Sequence, residues 1–206
     1  AQNLDEENTT SGKAISADST ITPDSVTQGY TQITAGGTYT VAGGDYTGYN
    51  TGDYGASYHE RFETIVINTT ENVTLNIQGD IKLKESQRTF IRGENVGTLT
   101  ISGNGHKLTT CVETTDTYSY LIGVDSSAAN SNIVVDNCTL ETKYGTVIDA
   151  ETGTVILKNT TLSGNGSSWG YASVASGSKL VVESGSKIEV EGEWVQNRGT
   201  VEMQNG

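Results

Sequence analysis

The sequence predicts an all-β solenoid, a stack of about seven three-sided coils of 21–25 residues with two loop insertions. Three observations carry this: a thin apolar composition, a short alternating fragment that recurs, and a column of Gly and Asn behind it. Only 33% of the 206 residues are apolar, and the share reaches the ~45–50% usual for globular domains only when the 25 Gly are added. Thr, Ser, Gly, Asn and Val abound while Ala, Leu and Met are scarce, which favours strands over helices. The longest aliphatic runs are three residues, such as Ile65-Val66-Ile67 and Ile133-Val134-Val135, so no helix spans a bilayer. A formal charge of −13 opposes nucleic acid phosphates.

Residues 1–28 are polar and acidic (Asp5, Glu6, Glu7, Asp18, Asp24) and are expected to form an extension ahead of a solenoid over 29–206. Part of 31–38 is expected to cover the first coil, because an open solenoid end is an exposed sheet edge. The first copy of the fragment is Thr38-Tyr39-Thr-Val41-Ala-Gly43. It recurs as Val73-Thr-Leu75-Asn-Ile77-Gln-Gly79, Gly97-Thr-Leu99-Thr-Ile101-Ser-Gly103 and Asn132-Ile133-Val-Val135-Asp-Asn137. Three further copies are Thr154-Val155-Ile-Leu157-Lys-Asn159, Lys179-Leu180-Val-Val182-Glu-Ser184 and Thr200-Val201-Glu-Met203-Gln-Asn205.

Each copy alternates, placing two side chains inward and the one between them outward. Two positions after the second inward residue stands Gly43, Gly79, Gly103, Asn137, Asn159, Ser184 or Asn205. Gly and Asn tolerate a left-handed backbone, so this column is predicted to be a corner with positive φ. The corners are spaced 36, 24, 34, 22, 25 and 21 residues apart, and the two long gaps mark the insertions. A second side carries Ile81 and Leu83, Leu108, Leu140, Leu162, then Ile188 and Val190. A third carries Ile65 and Ile67, Phe90 and Ile91, Leu121 and Ile122, Val147 and Ile148, Ala172 and Val174, then Trp194 and Val195. Glu151-Thr-Gly153 and Ser176-Gly-Ser178 are among the turns between coils. The last residues begin a new coil and stop at its corner, so the stack is expected to continue in a longer protein.

From residue 38 to 206 this pattern resembles the right-handed parallel β-helix of the pectin-lyase-like superfamily. It also resembles the passenger regions of bacterial autotransporters and other β-helical surface proteins. The resemblance implies a secreted or surface-exposed adhesin-type protein, with a protein or glycan ligand on a cell surface and scope for self-association. No cofactor is expected. Cys111 and Cys138 lie in consecutive coils and are expected to form a disulfide, with two buried free thiols as the alternative.

The insertions, residues 44–61 and 109–119, fall just before the third side and are two coils apart. They should therefore project from one edge. They hold Tyr46, Tyr49, Tyr54, Tyr58 and Tyr118, and the same edge continues with Tyr144, Trp169, Tyr171 and Trp194. Tyr among Gly, Asn and Ser makes an adaptable contact surface, and aromatic faces stack on sugar rings, so these residues are the candidate ligand-binding set. The alternative is that they pack the loops onto the solenoid. Asp45 and Asp53 offer oxygens for Ca²⁺, but their spacing fits no known Ca²⁺ loop, and no metal is assigned.

The resembled superfamily includes polysaccharide lyases and glycosidases. Just before the corner, Asp136, Lys158 and Glu183 would stack on successive coils and are the catalytic candidates of that alternative. A row of alternating charge is more simply a solvated ladder. The lyases use clustered acids with an Arg base, whereas Arg61, Arg88, Arg92 and Arg198 align with no acidic cluster here. A structural spacer is the third reading.

Overall fold

Apolar residues at every second position force each short strand to bury one face and expose the other. A chain of such strands satisfies its backbone by stacking coil upon coil. The computed structural model describes residues 12–24, 29–53, 60–85, 89–110, 119–167 and 169–204. The chain runs through β1 (Lys13–Ile15), β2 (Thr20–Ile21), β3 (Thr31–Ile33), β4 (Gly37–Val41) and β5 (Gly44–Tyr46). Next come β6 (Tyr49–Asp53), β7 (Glu60–Thr69), β8 (Val73–Ile77), β9 (Ile81–Leu83) and β10 (Thr89–Val96). The middle coils hold β11 (Thr98–Ser102), β12 (Lys107–Thr109), β13 (Tyr120–Val124), β14 (Asn132–Asp136), β15 (Thr139–Thr142) and β16 (Ile148–Ala150). The last hold β17 (Thr154–Lys158), β18 (Thr161–Gly166), β19 (Ala172–Val174), β20 (Lys179–Val182), β21 (Lys187–Gly192), β22 (Val195–Asn197) and β23 (Thr200–Met203).

These strands make the three sides of a parallel β-solenoid. Sheet A runs β1-β3-β7-β10-β13-β16-β19-β22, sheet B runs β2-β4-β8-β11-β14-β17-β20-β23, and sheet C runs β5-β9-β12-β15-β18-β21. All pairings along these paths are parallel; β6 alone pairs antiparallel, with β7, as a hairpin on the edge of sheet A. The three sets of inward residues expected from the pattern occupy sheets B, C and A in turn. Val73, Leu75, Leu99, Ile101, Ile133 and Val135 meet Ile81, Leu108 and Leu140, and Ile65, Ile91 and Ile122, in one continuous core. Each coil contributes only a few side chains to that core, which is why so low an apolar fraction suffices.

The structure corrects the predicted outline in three places. The solenoid begins earlier: β1 and β2 lie within the supposed N-terminal extension and pair in register with β3 and β4, so that the paths of sheets A and B each run through eight strands. Residues 31–33 are a sheet strand between β1 and β7, not a cap. The first insertion, 44–61, is largely strand, comprising β5, β6 and the start of β7.

The corner column is also less uniform than predicted. Val41 lies opposite Ile77, but Ile101 lies opposite Leu75, so the stack slips by two residues between β8 and β11. Positive φ occurs in the column at Asn137 (52°) and Asn159 (45°). After Gly43 and Ser184 it falls one residue later, at Gly44 (138°) and Gly185 (92°), and after Gly103 it falls at Asn104 (51°) and Gly105 (80°). Close approach explains Gly43 and Gly79 instead: a Cβ on Gly43 would stand 2.7 Å from the Gly79 Cα. Asn205 lies outside the described residues.

Candidate functional site

The connections from sheet C to sheet A lie one above another along one edge of the solenoid. Those that follow β15, β18 and β21 are on successive coils and contain Tyr144, Trp169 and Trp194. Tyr54, Tyr58, Tyr118 and Cys111, all in the predicted insertions, lie outside the described residues.

Of the predicted aromatic contacts among the described residues, Trp169 alone is well exposed, at 51%. Its turn is fixed from below by buried hydroxyls. The Gly170 N–H donates to the Ser167 carbonyl (2.9 Å), and the Trp169 N–H donates to Ser167 Oγ (3.2 Å). Thr146 Oγ1, on the preceding coil, donates to the Gly170 carbonyl at 2.6 Å and sits 3.2 Å from Ser167 Oγ. Gly170 holds φ at 79°, with the backbone of Val195 and Gln196 directly against it. The indole thus projects from a tied turn. Tyr144 is half-buried one coil below; Trp194, one coil above, packs against the core.

Two predicted contacts are core residues. Tyr46 is fully buried, because it stands two places after Gly44 on the inward face of β5, opposite Leu83. Its ring meets Phe90 edge-on at 5.4 Å, and its hydroxyl lies within bonding distance of the carbonyls of Ala42 (2.6 Å) and Ile21 (3.1 Å). Tyr171 is also fully buried, its hydroxyl placed against the carbonyls of Ser163 (2.8 Å) and Leu140 (2.7 Å). Tyr49 is half-buried and packs against the same core. Sequence reasoning left these residues between ligand contact and packing onto the solenoid, because the segments that hold them have no period from which direction can be read.

Cys138 is a buried free thiol rather than half of the expected disulfide, with its Sγ directed at the Thr139 carbonyl (3.8 Å). Burial pushes its pKa up to about 12, and burial likewise raises the Tyr46 and Tyr171 phenols above their ordinary value of 10.0. Each group is therefore held neutral in the fold. The stability this contributes is complete below the unfolded pKa values, 9.0 for Cys and 10.0 for Tyr, and is lost as pH climbs toward the folded ones. The urea midpoint is expected to keep that contribution in full, with no pH dependence from these groups, below about pH 9 and to fall above it. A midpoint flat to pH 11 would contradict their burial.

The catalytic candidates are in register but not joined. Asp136 lies opposite Lys158, and the Glu183 N–H bonds the Leu157 carbonyl beside it, so the three form one row on the outer face of sheet B. All three are half-exposed, and no ion pair links them.

One cluster escaped the sequence reasoning, which aligned no arginine with acids. Arg92 Nη1 bonds both carboxylate oxygens of Glu63 (2.8 and 2.9 Å), while Nε and Nη2 bond Asp125 Oδ2 (2.8 and 2.5 Å). The Glu63 side chain is only 2% exposed. Burial alone would lower the Arg92 pKa, but its bonds to Asp125 and the charges of Glu63 and Asp125 outweigh this and raise it. The cluster thus braces three successive coils, through Glu63 on β7, Arg92 on β10 and Asp125 just after β13.

Compared with protein-family models, curated proteins and solved structures, the chain matches none.

Proposed function

We propose that this chain is a secreted or surface-displayed bacterial solenoid of the adhesin type, binding its partner along the edge where sheet C passes to sheet A. The observation that carries this reading is Trp169, an exposed indole on a turn tied by buried hydroxyls on that edge. Leaving a large apolar ring in water forgoes the ~1.5–3 kcal/mol that its burial would contribute. A turn built to hold it there suits a contact group better than a packing group. The stacked coils supply a rigid support, and the connections on one edge can vary without disturbing it.

The test is adhesion of purified chain to intact bacterial and epithelial cells, comparing the native protein with Trp169→Ala and Tyr144→Ala. The expected result is saturable binding that falls about tenfold in Trp169→Ala, the range of a central aromatic contact. Equal binding by all three proteins, or none by any, would remove the edge as the site. Release of soluble sugar products from polysaccharides, abolished by Asp136→Asn, would favour the enzymatic reading instead.

A further inference from the structure

We infer that Trp169 is the stacking platform of a subsite for a neutral polysaccharide, with Lys143, Tyr144 and Glu193 as its polar surround; this rests on the edge reading above and narrows it. A protein interface needs a desolvated core of several apolar groups, commonly about 800 Å² on each partner. Among the described residues the exposed large hydrophobics are Trp169, on this edge, and Met203, in β23 on sheet B. A single sugar ring needs much less, one flat apolar face against its C–H groups and polar groups around its rim.

The edge supplies that combination. Lys143 and Glu193 are exposed and Tyr144 is half-exposed, in the connections one coil below and one coil above Trp169. Adjacent coils stand about 4.8 Å apart, so groups on neighbouring coils can reach the rim of one ring stacked on the indole. The hydrogen bonds of Thr146, Ser167 and Gly170 fix the backbone beneath the ring before any ligand arrives, which limits the ordering cost of binding. Charge selects among glycans: a chain of net charge −13, with Glu189, Glu191 and Glu193 exposed beside the site, repels uronic acids and sulfated sugars.

Affinity gel electrophoresis tests this with galactomannan, mixed-linkage β-glucan and arabinoxylan as neutral probes and polygalacturonate as the acidic one. Retardation by at least one neutral polysaccharide is expected, weakened about tenfold in Trp169→Ala and largely kept in Trp169→Phe. Because the chain has two Trp, the Trp194→Phe protein reports on Trp169 alone, and its fluorescence should shift as the same probe is titrated in. Retardation unchanged in Trp169→Ala, retardation by polygalacturonate only, or none by any probe would overturn the proposal. Adhesion to periodate-treated cells separates it from the broader reading. Periodate-resistant adhesion lost in Trp169→Ala would keep the edge and reject the glycan, whereas adhesion and retardation both indifferent to Trp169 would reject both.

Discussion

Arg92→Ala is expected to destabilise the solenoid by about 3–5 kcal/mol, the cost of leaving a buried charge without its partner. Glu63 is almost wholly enclosed, and Arg92 contributes two hydrogen bonds to its carboxylate. Removing the guanidinium also takes two bonds from Asp125, on the next coil. Glu63 and Asp125 each have further interactions, which places the expected loss toward the lower end of that range. Urea denaturation monitored by far-UV circular dichroism gives the measurement. Lys179→Met is the control, since it breaks only an exposed, solvent-screened 2.7 Å pair with Glu202. If the two variants shift the midpoint equally, the cluster is no brace. Replacing the trio together, as Glu63→Leu, Arg92→Met and Asp125→Leu, should recover much of the loss, because no buried charge is then left unpaired.

Tyr46→Ala is expected to cost about 3–5 kcal/mol, the usual range for emptying a large aromatic from a core. The ring fills the interior between β5 and Phe90, and its hydroxyl ties the Ala42 and Ile21 carbonyls across two coils. Tyr46→Phe keeps the ring but takes the hydroxyl donor from the Ala42 carbonyl, while the Ile21 carbonyl still accepts from the Ala42 N–H, a loss of about 0.5–1.5 kcal/mol. Since Ile21 belongs to β2, hydrogen exchange should quicken first in the N-terminal coils, each coil being held chiefly by its neighbours. Unchanged stability in Tyr46→Ala would mean that the residue is a surface contact after all, as its setting among Gly, Asp and Tyr suggested.

What could be read from the sequence follows from what has a period. The three sides were legible because inward residues alternate, and because Leu108, Leu140 and Leu162 return once per coil. The two-residue slip at Ile101 was not, since a shift of two preserves inside and outside and leaves the hydrophobic pattern unchanged. The first coil was hidden because β1 and β2 carry little beyond Ile15 and Ile21 to mark an inward face within a polar stretch. The edge was the least legible part. Trp169 and Tyr171 stand two residues apart in one connection, yet the first is exposed and the second fully buried. Only the turn between them, with Gly170 at positive φ, decides which ring faces water. The Arg92 cluster was hidden for a related reason: Phe90 and Ile91 are both buried, so alternation breaks just before the residue whose direction mattered.

The all-parallel pairing of sheets A, B and C also has a mechanical meaning. Inter-strand hydrogen bonds run across the strands, hence along the axis on which the coils are stacked. A pull along that axis loads the bonds of one coil boundary in line and peels coils away one at a time. A pull across the axis instead spreads its load over many boundaries together. A tether at either end of the stack would therefore yield in small steps under drag, and a ligand held on the sheet C to sheet A edge would draw sideways on a much stiffer body.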